Sequence, residues 1–272
     1  MSDRANPIQI FTIDALEVRI YADARSLAQG AARATAVYLQ NILHQQSSVR
    51  AVLATGNSQI QFLDRLISSE NTDWSRVTFF HLDEYLGIDG EHPASFRRYL
   101  RDRVQRRISP QQFHYLQGDA VEPLTECQRY ERLIREKPLD LCCLGIGENG
   151  HLAFNEPNAA DFNDSQAVKI VQLDPQTRQQ QVDGGFFPTL DAVPSAAITL
   201  TLPSICSAKK IVCLAPGSRK ATIIQEMLQG EIHPSCPASI LRTQPQATLF
   251  LDSDSASLLD LAAFDINFKN PS

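Results

Sequence analysis

Four stretches of this 272-residue chain place groups that move protons or bind anions at close spacing. The densest is Gly145-Ile146-Gly147-Glu148-Asn149-Gly150-His151-Leu152-Ala153-Phe154-Asn155-Glu156-Pro157. An imidazole follows three glycines there, and a carboxylate follows the imidazole by five residues. An imidazole titrates near neutral pH and a neighbouring carboxylate tunes it, so His151 with Glu156 suits a proton shuttle. A second stretch, Asp83-Glu84-Tyr85, offers Asp83 as a general base. The other two, Thr55-Gly56-Asn57-Ser58 and Gly217-Ser218-Arg219-Lys220, each lead into an expected helix. A helix start presents free N–H groups and the positive end of the helix dipole, which suits a phosphate. Lys220 and Arg178 are candidate cations for such a phosphate.

Each stretch also has a plainer alternative that the residues alone leave open. His151 could be a hydrogen-bonded core histidine, Asp83 a turn-bonding aspartate and Thr55 to Ser58 a capped turn, with Lys220 and Arg178 as surface cations. Other chemistries fit less well. The dinucleotide fingerprint G-x-G-x-x-G needs a long helix after its last glycine, and Pro157 comes seven residues after Gly150, where a helix interior tolerates proline poorly. His44, His81, His92, His114 and His233 show no ligand spacing with His151 and Glu156, so no metal is expected. Neither a Walker loop nor a G-x-S-x-G elbow occurs, and no cofactor is expected.

The elements that must position these residues alternate. Ile8 to Ile13 and Leu16 to Tyr21 read as strands, and Asp23 caps a helix running to about Gln46. Val49 to Ala54, Val77 to Leu82, Leu139 to Leu144, Ala167 to Leu173, Ala197 to Leu202, Lys210 to Leu214 and Thr248 to Asp252 read as further strands. Helices are expected after Ser58, over Ala94 to Arg107, over Glu122 to Glu136, from Pro175, from Pro203, over Arg219 to Leu228, and near Ser255 to Leu259. Gly184 to Pro194 reads as loop. This alternation predicts an α/β fold: a single Rossmann-like domain over 1–272, with a mainly parallel sheet and helices on both faces. In such a sheet the four chemical stretches, all at strand exits, share one edge.

Composition narrows the partners. At 43% hydrophobic and 21% charged the chain can bury one ordinary core. A formal charge of -6 argues against a nucleic-acid surface. The arginine run at Arg97, Arg98, Arg101, Arg103, Arg106 and Arg107 is broken by Asp102 and reads as a solvated helix face. No apolar segment approaches membrane-spanning length, and no secretory apolar region opens the chain. The six cysteines show no C-x-x-C spacing, and a cytoplasmic location is expected.

At this point the chain resembles a family, the glucosamine-6-phosphate deaminases, which include glucosamine/galactosamine-6-phosphate isomerases. The resemblance rests on Asp83-Glu84-Tyr85 between Phe79-Phe80-His81-Leu82 and Glu91-His92-Pro93-Ala94-Ser95-Phe96, on Gly145 to Pro157, on Thr177-Arg178, and on Gly217 to Ala221. It implies a sugar-phosphate ligand, no metal or nucleotide, and conversion of glucosamine 6-phosphate and water to fructose 6-phosphate and ammonium. It also implies roles. Asp83 matches the base between C2 and C1, His151 the ring-opening group, and Glu156 its paired carboxylate. Thr55, Gly56, Asn57 and Ser58, with Arg178 and Lys220, match the phosphate site. A homo-oligomer is left open.

Two departures bear on these roles. Position 149 is Asn149 where several members carry aspartate, so the ring-opening relay is expected to rest on Glu156. The phosphate turn reads Thr55-Gly56-Asn57-Ser58-Gln59 where the familiar form is Thr-Gly-Gly-Thr-Pro. Galactosamine 6-phosphate is an alternative substrate. A 6-phosphogluconolactonase is disfavoured by Phe154-Asn155-Glu156-Pro157 after the histidine, and a non-catalytic sensing module by the presence of Asp83, His151 and Glu156 together.

Overall fold

The computed structural model describes residues 5–261, and the two ends of the expected 1–272 span lie outside them. β1 (Gln9–Ile13) and β2 (Leu16–Tyr21) form an antiparallel hairpin. Asp23 caps α1 (Ala24–Gln45), its carboxylate accepting from Ser26 N at 2.7 Å. β3 (Val49–Leu53) leads into α2 (Asn57–Ile67), and β4 (Val77–His81) is followed after one residue by β5 (Asp83–Tyr85). α3 (Phe96–Leu100) runs on into a wider π turn over Arg101–Gln105. β6 (Gln112–His114) and α4 (Pro123–Arg135) precede the central strand β7 (Leu141–Gly145). The chain then forms β8 (Val168–Gln172), α5 (Pro175–Asp183), β9 (Ala196–Leu200), α6 (Leu202–Cys206), β10 (Ile211–Ala215), α7 (Ala221–Gln229) and β11 (Ala247–Asp252).

Eight strands make the main sheet in the order β1-β2-β11-β10-β7-β3-β4-β6, and all pairs except β1–β2 are parallel. Alternate side chains of each strand go to opposite faces. Ala51, Leu53, Phe79, Leu141, Cys143, Val212 and Leu214 pack under α1, α2 and α3, meeting Leu39, Phe62, Leu66 and Leu100. Val52, Phe80, Cys142, Leu144 and Cys213 pack on the other face against Tyr130 of α4, Ile205 of α6 and Ile224 and Met227 of α7. The fold is therefore α/β, with helices on both faces of a mainly parallel sheet.

Three sequence expectations change. Ala167 to Leu173 and Ala197 to Leu202 do contain strands, but β8 and β9 pair with β5 in a separate antiparallel sheet of order β5-β9-β8. β9 is buried on both sides along its whole length, so its composition mimics a parallel core strand. Asp83-Glu84-Tyr85 is not a bare strand exit but the edge of that second sheet. Ser255 to Leu259, expected as helix, forms turns. The Asp252 carboxylate accepts from Ser255 N at 2.8 Å as a cap would, but the bonds that follow, Ser257 N to Asp254 O and Leu259 N to Ala256 O, span three residues, so the segment tightens into turns and no α-helix propagates.

The two sheets meet at Leu82. Its N–H donates to Leu53 O at 3.2 Å in the main sheet, and its carbonyl accepts from Leu200 N at 3.1 Å in the small one. The next acid but one, Glu84, then locks the following segment. Its carboxylate accepts from Tyr85 N, Ser95 Oγ, Phe96 N and Arg97 N at 2.8–3.1 Å. Glu84 thus caps α3 and is fully buried. Burial pushes its pKa up, against the four donors that hold it down. Glu84→Ala strands those donors in the interior. Chemical denaturation should show a loss of about 3 kcal/mol or more; a loss below about 1 kcal/mol would mean the cap does not support the fold.

Candidate active site

β3 and β7 are neighbours in the main sheet, yet the chain leaves β3 toward β4 on one side, while β7 is flanked on the other by β10. Where strand order reverses, the carboxyl ends of an open α/β sheet part to leave a crevice. Thr55 to Ser58 leaves β3 at this point and Gly145 ends β7. A Cβ built on Gly145 would lie 2.9 Å from Ser58 Oγ and 3.5 Å from Gln59 Nε2. Only a residue without a side chain lets the two exits approach this closely. The turn itself is held by Tyr99, whose hydroxyl donates to Gly56 O at 3.0 Å. α2 has no side-chain cap at Gly56, so no side chain occupies the N–H groups of its first turn.

The loop after β7 folds back on itself. Gly147 N donates to His151 O at 2.9 Å, and Ala238 N donates to Gly150 O at 2.8 Å, bringing the 3-10 segment Pro237–Thr243 up as a strap. The His151 ring lies against Gly147, where a Cβ would come within 2.2 Å of it. Asn155, fully buried, donates from Nδ2 to Leu152 O at 2.9 Å and Leu200 O at 2.8 Å. Ala153 takes φ 54, an uncommon conformation for a residue with a side chain, and Phe154 N donates to Thr199 Oγ1 at 3.2 Å. The loop is therefore tied to β9 at two places.

His151 Nδ1 stands 4.0 Å from Glu156 Oε1, and neither atom has a hydrogen-bond partner among the described residues. Burial first, and the Lys220 charge second, push the imidazole down to about 4, so it is neutral at pH 7. The other oxygen of Glu156 accepts from Asp174 N at 2.7 Å, at the start of α5. Burial raises the Glu156 carboxyl, opposed by the Thr177 hydroxyl and that N–H. Asn149 Oδ1 accepts from His151 N at 3.2 Å, so its side chain braces the backbone of the histidine.

Asp83 is buried and sits opposite Thr199 in the β5–β9 register. Thr199 thus joins the aspartate strand to the histidine loop. Burial, and then the charge of Glu84, push the Asp83 carboxyl up to about 8. Lys220 closes a 3-10 turn over Ser218–Lys220 after β10. Burial pulls its pKa down, with Glu148 opposing. Arg178 is held differently. Its Nη2 donates to Leu190 O at 2.7 Å and Val193 O at 2.9 Å, and its buried Nε has no partner.

Several supports carry only faint marks in the sequence. Thr199 is one hydroxyl in an apolar strand. Asp252, at the end of the last strand, receives Gly217 N on both oxygens at 3.0 Å and so fixes the turn that presents Lys220. An acid at a strand's carboxyl end is the one signal that could have flagged it.

The raised Asp83 carboxyl has a measurable consequence for stability. Its folded pKa of about 8 lies above the unfolded value of 3.8. Across that window the native state keeps a proton that the unfolded chain has released, so this group's contribution to stability falls as pH rises toward 8. Asp83→Asn removes the dependence. Its stability relative to the parent should grow by at least about 1 kcal/mol from pH ~5 to pH ~8 in urea unfolding. A constant difference would mean the carboxyl is not raised.

Residues 22–250 match the family described as glucosamine-6-phosphate isomerases/6-phosphogluconolactonase. A glucosamine-6-phosphate deaminase of an Exiguobacterium species is 40% identical over 205 residues, covering 75% of this chain and 78% of that one. That of Bacillus pumilus is 40% identical over 212 residues, covering 76% and 86%. The structure of a monomeric glucosamine-6-phosphate deaminase superposes with a TM-score of 0.82 at 33% identity, covering 89% of this chain and 99% of the other. A 6-phosphogluconolactonase from Thermotoga maritima shares the fold at a TM-score of 0.71, with 20% identity over 86% of this chain and 98% of its own. With a match that runs through both sheets and all four strand exits, the chain belongs to the glucosamine-6-phosphate isomerase/6-phosphogluconolactonase family.

Proposed function

We propose that the crevice converts glucosamine 6-phosphate and water to fructose 6-phosphate and ammonium, in a cytoplasmic setting. The observation that carries this reading is the presence of two separate proton carriers, His151 on the glycine loop and Asp83 on the small sheet, braced against each other through Thr199. A lactone hydrolysis needs no base for a carbon-bound proton; an aldose–ketose interconversion does. The relatives at 33–40% identity carry the deaminase name, which supports the same choice.

The steps follow from the positions. Neutral His151 takes the proton of the anomeric hydroxyl and returns one to the ring oxygen as the C1–O5 bond breaks. Glu156 Oε1, unpartnered 4.0 Å away, stabilises the imidazolium formed in between. Asp83, ionised in only a minority of molecules below pH 8, then removes the C2 proton in that form. The C–H electron pair becomes the C1–C2 double bond of an enolamine, and the C1 carbonyl oxygen takes up a proton. Return of a proton to C1 leaves an imine at C2. Water adds there, the C–N bond breaks, and ammonia departs as ammonium. A carboxylate raised to about 8 is a stronger base than an ordinary one. The phosphate, at Thr55 to Ser58 with Lys220 and Arg178, anchors the sugar through both proton transfers and lends remote binding energy to them.

Ammonia release from glucosamine 6-phosphate, with galactosamine 6-phosphate and 6-phosphogluconolactone as comparison substrates, tests the reaction; hydrolysis of the lactone without ammonia release from either amino sugar would overturn it. Within the reaction, Asp83→Asn should stop exchange of the C1 protons of fructose 6-phosphate with solvent deuterium, by roughly 10²–10⁴-fold in an NMR time course. His151→Gln should lose deamination of the cyclic amino sugar more than it loses that exchange. Rapid exchange by Asp83→Asn removes it as the base.

Lys220→Ala and Arg178→Ala should each weaken binding of fructose 6-phosphate by roughly 1.5–3 kcal/mol, the value of a charge-assisted hydrogen bond. Unchanged affinity in either variant removes that residue from the phosphate site.

A further inference from the structure

Gln59 occupies the third position of α2, one residue past Ser58, and is fully buried. A glutamine at this place in a helix ordinarily reaches back to the backbone N–H of the capping residue. Gln59 does not. Its Nε2 donates to Ser58 Oγ at 3.2 Å, and its Oε1 is buried without a partner among the described residues. An unpaired buried carbonyl costs stability, and a group retained at such a cost calls for a reason. The hydroxyl also dictates its neighbour: Ser58 Oγ would lie 2.9 Å from a Cβ at Gly145, while Gln59 Nε2 would be in ordinary contact with it at 3.5 Å.

A hydroxyl has two lone pairs but a single proton to donate. With one lone pair taken up by Gln59 Nε2, that proton is left for an acceptor in the crevice. We infer that Gln59 is a positioning residue, which commits the Ser58 hydroxyl to donate to the phosphate of the bound sugar. The inference rests on Thr55 to Ser58 being the phosphate turn. It assigns the orphaned Oε1 a cause: the amide must present nitrogen to Ser58, so its oxygen is turned into the core. The opposite orientation would consume the hydroxyl proton and leave a phosphate oxygen facing lone pairs.

The experiment is a cycle of Ser58→Ala, Gln59→Met and the double variant. It is read by calorimetric affinity for fructose 6-phosphate, by kcat and KM for glucosamine 6-phosphate, and by Tm. Ser58→Ala should weaken binding about tenfold, the loss of one hydrogen bond to a charged acceptor. Gln59→Met, close in volume, should raise the dissociation constant and KM severalfold, leave kcat within about twofold, and keep or raise Tm. In the Ser58→Ala background Gln59→Met should add nothing. If Ser58→Ala binds as the parent does, the phosphate-turn assignment itself fails. If Ser58→Ala is weakened but Gln59→Met is not, or if its effect persists in full in the double variant, Gln59 does not act through Ser58 and the inference is overturned. Should Gln59→Met not fold, Gln59→Glu keeps the shape but accepts where Gln59 donates; it should also weaken binding, and parental affinity would overturn the inference equally.

Discussion

One residue, Leu82, belongs by its backbone to two sheets, and the site depends on that. Its N–H is satisfied in the main sheet and its carbonyl in the small one, so the direction of the chain after β4 is fixed by bonds on both sides. A buried backbone group without a partner costs on the order of 1–3 kcal/mol, which makes other directions expensive. Everything downstream inherits that direction. Asp83 comes to lie opposite Thr199, Thr199 holds Phe154, and Phe154 is two residues from Glu156. The placement of Asp83 relative to the His151–Glu156 pair is thus set by sheet register.

Asp83 and Glu84 show how two adjacent acids take opposite parts. Both are buried and both are pushed upward in pKa by that burial. Glu84 meets four donors and is used up as a cap. Among the described residues no hydrogen bond to the Asp83 carboxyl is found, so its basicity is unspent. The difference follows from strand alternation: consecutive residues face opposite sides of the small sheet, and only one of those sides carries the start of α3.

Much of this was legible in the residues. Apolar runs located the main-sheet strands because parallel strands buried on both faces need continuous Val, Ile, Leu and Cys. Proline and glycine marked the exits, and the Asp23 cap sits where it was read. The second sheet was not legible, because β9 has the same composition as a main-sheet strand and only its pairing with β5 distinguishes it. Ser255 to Leu259 has a helix-like start at Asp252, but its backbone bonds close over three residues and form turns, a difference that the local composition does not reveal. Within the site, residue type pointed to Asp83, His151 and Glu156. The braces Thr199 and Asp252 act through contacts with Phe154 and Gly217, segments far apart in sequence, which a local pattern does not pair.

Main chain forms part of the crevice wall. Residues 145 and 147 contribute no side-chain atoms, and the turn of α2 offers peptide N–H groups. On α5 the Arg178 guanidinium is already held by the carbonyls of Leu190 and Val193. Freezing a flexible side chain on binding typically costs ~0.5–1.5 kcal/mol each. Where peptide groups and pre-anchored side chains form a site, few rotamers are left to lose, and dehydration of the proposed phosphate ligand then weighs more than ordering of the protein.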